Sequence, residues 1–209
     1  MLRHRWVKVA LFVLCLTPVF WLAWRGWHED LSANPIEFIT RYTGDWTLRF
    51  LVFTLAITPL RKLLGLPDLI KFRRMIGLFA FFYGVLHFTT YIWLDKFFDL
   101  AEMLHDVAKR PFITAGFTAF LLMIPLAVTS TTGWIRRMGG KRWQLLHRLV
   151  YLSAIAGAVH YYWLVKSDIR LPVFYGSLVA LALTIRIGYW VRAKQVRPST
   201  VSGRAAAVR

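Results

Sequence analysis

Apolar residues in this chain arrive in long blocks separated by short polar stretches. A helix needs about 20 mainly apolar residues to cross a bilayer. Six blocks approach that length: 6–24, 50–64, 75–94, 112–132, 143–165 and 173–191. The third and fourth carry no charge, and the first is broken only by Lys8. The second is the weakest, with Arg61 and Lys62 near its end; the fifth is interrupted by His147 and Arg148, and the sixth holds Arg186 near its far end. The first block reads as a retained anchor rather than a cleaved leader. It contains Pro18 and runs into bulky Phe20, Trp21, Leu22 and Trp24 where a cleavage site would need small residues. The pattern predicts an all-α integral membrane protein, a bundle of six transmembrane helices. Two connecting stretches, about 25–45 and 95–111, have room for amphipathic segments. In the second, Phe97, Phe98, Leu100, Ala101, Met103 and Leu104 predict a helix lying on the interface.

Composition narrows the class. Of 209 residues, 57% are hydrophobic and 18% charged, against about 25% charged in ordinary soluble domains. That excludes a disordered chain, a coiled coil or a disulfide scaffold. The net charge of +17 suits either a nucleic-acid binder or a membrane protein with basic cytoplasmic loops. Location decides between them. With the N-terminus in the cytoplasm and the six helices alternating, the cytoplasmic side carries 19 basic residues and one acid, Asp68; the other side carries eight basic residues and nine acids. The charge is a topology signal. It predicts both termini in the cytoplasm and no nucleic-acid partner. Most of the ten tryptophans fall near block ends, as an interfacial belt does. Residues 1–192 form one transmembrane domain in this reading, and 193–209 a mobile basic cytoplasmic tail.

The candidate chemistry lies in the histidines. His4, His28 and His105 fall outside the blocks and read as solvated surface residues. His87, His147 and His160 fall inside them, where an ionisable group is costly and marks function. A single buried histidine is commonly a neutral core residue. Three together, with no carboxylate in the blocks, favour haem iron over a proton path, a cation transporter or a zinc site. His87 and His160 both lie in the outer half of helices that run the same way, so one haem between them could take both. His147 is 13 residues before His160, about 20 Å along a helix, which points to a second, inner site. Thirteen residues also rotate about 140° off one face; tilt, or a bulge near Gly157, would have to correct that.

Arg73 stands fourteen residues before His87, close to four whole turns, and so on roughly the same face. An arginine is a poor iron ligand but suits a haem propionate or a cofactor phosphate. Arg73, Arg74, Arg136, Arg137, Lys141 and Arg142 would together form a cytoplasmic anion site; simple positive-inside anchoring accounts for them equally well. Gly77, Ala80 and Gly84 precede His87 at helical spacing, which serves either a macrocycle or ordinary helix contact. The one cysteine, Cys15, permits neither an internal disulfide nor a cysteine-ligated cluster. No dinucleotide or phosphate-loop motif occurs, and no loop holds a nicotinamide or flavin domain. Electrons would have to come from a membrane quinol or a separate reductase and leave to a separate acceptor.

These residues carry a family resemblance. The six-helix layout with histidines on the third and fifth helices resembles the ferric-reductase-like transmembrane family. Ile57-Thr58-Pro59-Leu60, Arg73-Arg74-Met75-Ile76-Gly77-Leu78, Leu86-His87-Phe88-Thr89-Thr90-Tyr91 and Arg110-Pro111-Phe112 match it. So do Thr129-Ser130-Thr131, Gly140-Lys141-Arg142-Trp143-Gln144-Leu145-Leu146-His147 and Tyr151. Within that family the chain closely resembles the haem-binding subunits of bacterial periplasmic methionine-sulfoxide reductase systems. The likeness implies a multi-pass b-type cytochrome of the bacterial inner membrane, with one or two haems b and FMN. It implies an electron-transfer subunit rather than the catalytic one. Electrons would come from the quinone pool or a cytosolic flavin reductase. They would go to a periplasmic molybdopterin catalytic subunit that repairs oxidised periplasmic proteins. Ligation falls on His87, His160 and His147; where the broader family has an earlier histidine on helix three, this chain has Arg73. A stand-alone ferric or quinone reductase is the alternative, and a non-redox transporter a more distant one.

Overall fold

The computed structural model describes residues 2–195, with side chains over 5–192 and at Gln195. The stretch 196–209, most of the expected tail, lies outside the described residues, as does the side chain of His4. Among the described residues every element is helical: α1 (Leu2–Trp27), α2 (Pro35–Leu63), α3 (Ile70–Thr90), α4 (Leu100–Lys109), α5 (Pro111–Val128), α6 (Thr132–Met138), α7 (Gly140–Leu146), α8 (Leu149–Leu164) and α9 (Arg170–Gln195). One 3₁₀ turn, Pro67–Leu69, leads into α3, and a π turn, Tyr91–Asp95, continues it.

Among the described residues, four helical stretches are long and apolar enough to cross a membrane: Arg5–Trp27, Pro67–Asp95, Pro111–Val128 and Arg170–Arg192. They coincide with the first, third, fourth and sixth blocks. The other two blocks are helical with different bounds. α2 begins at Pro35 rather than near residue 50, because Asn34 caps it. The Asn34 side chain accepts from the Glu37 N–H and donates to the Glu37 carboxylate, and Pro35 occupies the first helical position, a reciprocal cap that starts a helix whatever its hydropathy. The fifth block is two helices, α7 and α8, with His147 and Arg148 at the break. No bulge forms near Gly157; α8 runs through it without interruption.

α2 is the hub. It lies along α3 and also packs on α8 and α9, while α5 pairs with α8. Leu55, Ala80, Tyr83, Ser153 and Ala154 are wholly buried along these seams. Gly77 and Gly84 serve the α3 contacts: a methyl at Gly84 would meet Met123 at 2.9 Å, and one at Gly77 would meet Thr54. The macrocycle alternative for these two positions therefore gives way to helix packing. Ser153 of α8 donates to the Ala119 carbonyl of α5 at 2.9 Å. The Tyr83 hydroxyl inserts into the α1 ladder, accepting from the Val19 N–H at 3.2 Å and donating to the Cys15 carbonyl at 2.9 Å. The insertion sits directly after Pro18, where the helix is already short of a donor. Outward, the helices present Phe12, Leu14, Phe20, Leu181 and Ile187, the surface that lipid requires.

The segment after α3 departs from a simple interfacial helix. Phe97 and Phe98 take positive φ, 47° and 64°, a conformation bulky side chains rarely accept. α4 starts only at Leu100, capped by Asp99. Leu100 and Leu104 are exposed while Asp106 on the opposite face is buried. Lys96 is also buried and pairs with Asp106 and Glu102; Arg110 holds the other Asp106 oxygen.

Candidate functional site

α3 and α8 bring His87 and His160 together. Their ring centroids are 6.1 Å apart and the planes lie at 70°. Each ring is fixed from behind by a backbone carbonyl on a different helix: His87 Nδ1 donates to Thr40 O of α2 at 2.9 Å, and His160 Nδ1 donates to Phe112 O of α5 at 2.6 Å. A carbonyl only accepts, so the proton of each neutral ring sits on Nδ1 and Nε2 keeps its lone pair. That is the arrangement a metal-ligating imidazole adopts, its second nitrogen committed to a carbonyl that sets tautomer and orientation.

Two glycines make the arrangement sterically possible. A methyl on Gly116 of α5 would lie 2.6 Å from His160 Nδ1, and one on Gly44 of α2 would lie 3.0 Å from His87 Cε1. Side chains at 44 and 116 would displace the rings. Neither glycine nor the Thr40 and Phe112 carbonyls were part of the sequence-derived site. A glycine 43 residues from the histidine it faces leaves no periodic trace. Asp45, next to Gly44, lies outside the apolar block at 50–64 but inside α2. It is three-quarters shielded, lies 3.9 Å from Arg49, and is within hydrogen-bond reach of the Tyr161 hydroxyl. Arg49 in turn donates to the Tyr175 hydroxyl at 2.9 Å.

The pair passes a simple test for holding a metal. A metal bonded to one nitrogen of each ring at about 2.0–2.1 Å puts the two ring centres about 6 Å apart, and 6.1 Å is found. Among the described residues no three His, Cys, Asp or Glu side chains converge. The pair thus offers two protein ligands, a donor set that would suit haem iron.

His147 is elsewhere. It caps the end of α7, stacks on Trp143 with centroids 3.9 Å apart, and its Nε2 meets the Thr129 hydroxyl at 3.1 Å. That hydroxyl already donates to Pro125 O at 2.6 Å, so the imidazole is the donor here and Nδ1 keeps the lone pair. Trp143 Nε1 donates to Thr129 O at 2.9 Å. One threonine therefore locks the end of α5 to both rings of the Trp143–His147 stack. Of the six basic candidates, Arg73 is half-buried and close in charge to His147. Arg74, Arg136, Arg137, Lys141 and Arg142 are exposed, with Arg137 resting over the Trp134 ring at 5.8 Å. His28 and His105 are exposed, as their positions outside the blocks predict.

Residues 43–158 match the family described as ferric reductase like transmembrane component. The segment runs from the start of the Gly44 contact to just short of His160. The chain belongs to this family of membrane proteins. Within it, the chain falls among proteins called protein-methionine-sulfoxide reductase heme-binding subunit MsrQ. It is 55% identical over 199 residues to that of Herminiimonas arsenicoxydans, covering 94% of this chain and 91% of the relative. It is 48% identical to that of Polaromonas naphthalenivorans, over 93% and 90%, and 52% identical to that of Caulobacter vibrioides, over 87% of each. No solved structure is significantly similar to it.

Proposed function

We propose that the chain is a six-span, b-type cytochrome subunit of the bacterial inner membrane, with both termini cytoplasmic, and that His87 and His160 would hold its haem iron. The observation that carries this reading is the 6.1 Å imidazole pair with both Nδ1 atoms committed to carbonyls. A haem held there supplies one-electron exchange at a potential that the protein tunes. The residues do the rest. Thr40 and Phe112 fix the ring tautomers, Gly44 and Gly116 clear the space, and the Phe112 ring lies beside His160 as an apolar neighbour. The names of the relatives support the haem and a methionine-sulfoxide reductase as the partner.

In this reading, electrons enter from the quinone pool or a cytosolic flavin reductase and leave outward to a periplasmic molybdopterin catalytic subunit that repairs oxidised proteins. FMN belongs to the same proposal, held through its phosphate in the basic region that includes Arg73. His147, on the far side of the α7–α8 break from His160 and bound to Thr129, is a candidate ligand of a second haem.

The test is the haem-to-protein ratio with reduced-minus-oxidised spectra of the wild type and of His87→Ala, His160→Ala and His147→Ala. Loss of the main b-type spectrum in the first two, and its survival in the third, is the expected result. A colourless wild type would overturn the reading. Copurification with a periplasmic molybdoprotein supports the subunit role; quinone or ferric reduction without any partner supports the stand-alone reductase.

A further inference from the structure

Pro59 has no N–H, so the Leu55 carbonyl one turn earlier lacks its helical donor. Arg186 of α9 supplies one. Its Nη2 donates to Leu55 O at 2.7 Å and its Nη1 donates to the Tyr151 hydroxyl at 2.9 Å. The guanidinium also lies over the Tyr151 ring, 5.2 Å from its centre. Two features are left unsatisfied. Arg186 Nε is buried without a hydrogen-bond partner, and Tyr151, accepting from Arg186, still has its own hydrogen to give.

Arg73 of α3 approaches the same place, near enough to interact electrostatically with Tyr151, Arg186 and Arg61. Three helices thus gather two half-buried guanidinium groups around one hydroxyl. Among the described residues, no carboxylate forms an ion pair with either one. Elsewhere in the chain the half-buried or buried cations Lys96 and Arg49 each have an acid within 4 Å. Like charges held together at low dielectric repel, and a buried N–H without an acceptor is costly. Both deficits are cured by one negatively charged acceptor. Tyr151 also lines an open cleft of about 600 Å³ on the α7–α8 face, together with Arg142, Arg148 and Leu149.

We propose that Arg186, Tyr151 and Arg73 form a binding site for an oxyanion, a carboxylate or phosphate group borne by a ligand that enters beside α7 and α8. The site lies about 20 Å along α3 from His87, so it stands or falls apart from the histidine pair. Its donors are of the kind that oxyanions select: a guanidinium edge with Nε–H free, a second guanidinium, and a hydroxyl. Two sources carry this chemistry, a phosphate monoester such as that of FMN and a haem propionate; the second source rests on the haem reading above.

Full-length protein in detergent, as wild type, Arg186→Gln, Arg186→Lys and Tyr151→Phe, tests the site. FMN is titrated by fluorescence quenching, with inorganic phosphate as competitor. Haem retention is compared after reconstitution with protohaem and with its dimethyl ester, whose carboxylates are masked. If the source is phosphate, FMN affinity falls about ten-fold or more in Arg186→Gln and by less in Arg186→Lys and Tyr151→Phe, while the b-type spectrum stays. If it is a propionate, the wild type retains protohaem about ten-fold better than the diester, and Arg186→Gln loses that preference. Arg186→Gln also strips Leu55 O of its donor; should it fail to fold, Arg186→Lys and Tyr151→Phe keep the fold and carry the test. Wild-type binding of FMN, phosphate and both haems in all the folded variants would overturn the proposal. A wild type that binds FMN but no haem would sink the histidine reading and leave the oxyanion site standing.

Discussion

Gly116→Ala is the sharpest probe of the imidazole pair. Its methyl would stand 2.6 Å from His160 Nδ1, 2.9 Å from Cε1 and 3.0 Å from Cγ. Unstrained carbon contacts need about 3.5–4.0 Å, so the ring must retreat by about 1 Å. Metal–ligand distances tolerate only about 0.2 Å. The same retreat stretches the 2.6 Å bond to Phe112 O past useful length, and losing an outer partner of a metal-bound histidine costs about 10–100-fold in affinity. An unpaired buried N–H adds about 1–3 kcal/mol of instability. Gly44→Ala is milder: its closest ring atoms lie at 3.0 and 3.1 Å, so His87 must shift by about half as much. Gly176→Ala, with nothing within 4 Å, is neutral or gains up to about 1 kcal/mol of helix propensity. Haem-to-protein ratio, difference spectra and thermal melts on the three purified variants give the order: Gly116→Ala worst, Gly44→Ala intermediate, Gly176→Ala like wild type. A Gly116→Ala protein with the full wild-type haem ratio would refute the reasoning.

The remaining predictions concern the supports of the fold. Thr129→Val leaves His147 Nε2 without its acceptor and costs about 1–3 kcal/mol; the melt should drop, and Thr129→Ser should restore it. Tyr83→Phe removes the hydroxyl that bridges Val19 and Cys15 across the α1 break, lowering stability by about 1–2 kcal/mol and exposing α1 to protease. Lys96→Met leaves Asp106 with Arg110 and a long bond from the Tyr91 hydroxyl and costs about 3 kcal/mol, read as easier cleavage between α3 and α5. That cluster also sets a pH window. The hydrogen bonds to Asp106 and Glu102 hold Lys96 above the ordinary lysine range, so its contribution is complete below about pH 10 and lost only above that. Burial pushes the Asp106 carboxyl up, but Lys96 and Arg110 outweigh it and hold it below the ordinary carboxylate value, so its contribution is complete above about pH 4 and lost as pH falls further. Proteolysis of the 96–110 segment should therefore be flat between these limits and rise at both ends.

Several connections in the site have no trace in a linear pattern. The block at 143–165 reads as one apolar stretch, yet the chain breaks at His147, which places that residue at the end of α7 rather than on the helix that carries His160. At that break Trp143 and His147 each bond to Thr129, the residue that caps the end of α5. The second block misplaces the start of α2 because hydropathy ignores the Asn34–Glu37 cap. Once α2 is extended, Thr40, Gly44 and Asp45 reach the level of His87, and the site gains a floor, a clearance and a carboxylate.

Hydropathy and charge along the chain by themselves determined an all-helical protein with apolar spans, since lipid leaves few other ways to satisfy a backbone. They also marked His87, His147, His160 and Arg73, because an ionisable group in an apolar block is too costly to be incidental. Only the tertiary structure decided which of these meet. Pairing His87 with His160 takes four helices: two carry the rings, and two others supply the carbonyls and the glycines. Arg186 became notable only when Pro59, 127 residues away, left a carbonyl for it to fill. Sequence records what each residue can do; packing sets which partners are within 3 Å, and at that range hydrogen bonding and ligation are decided.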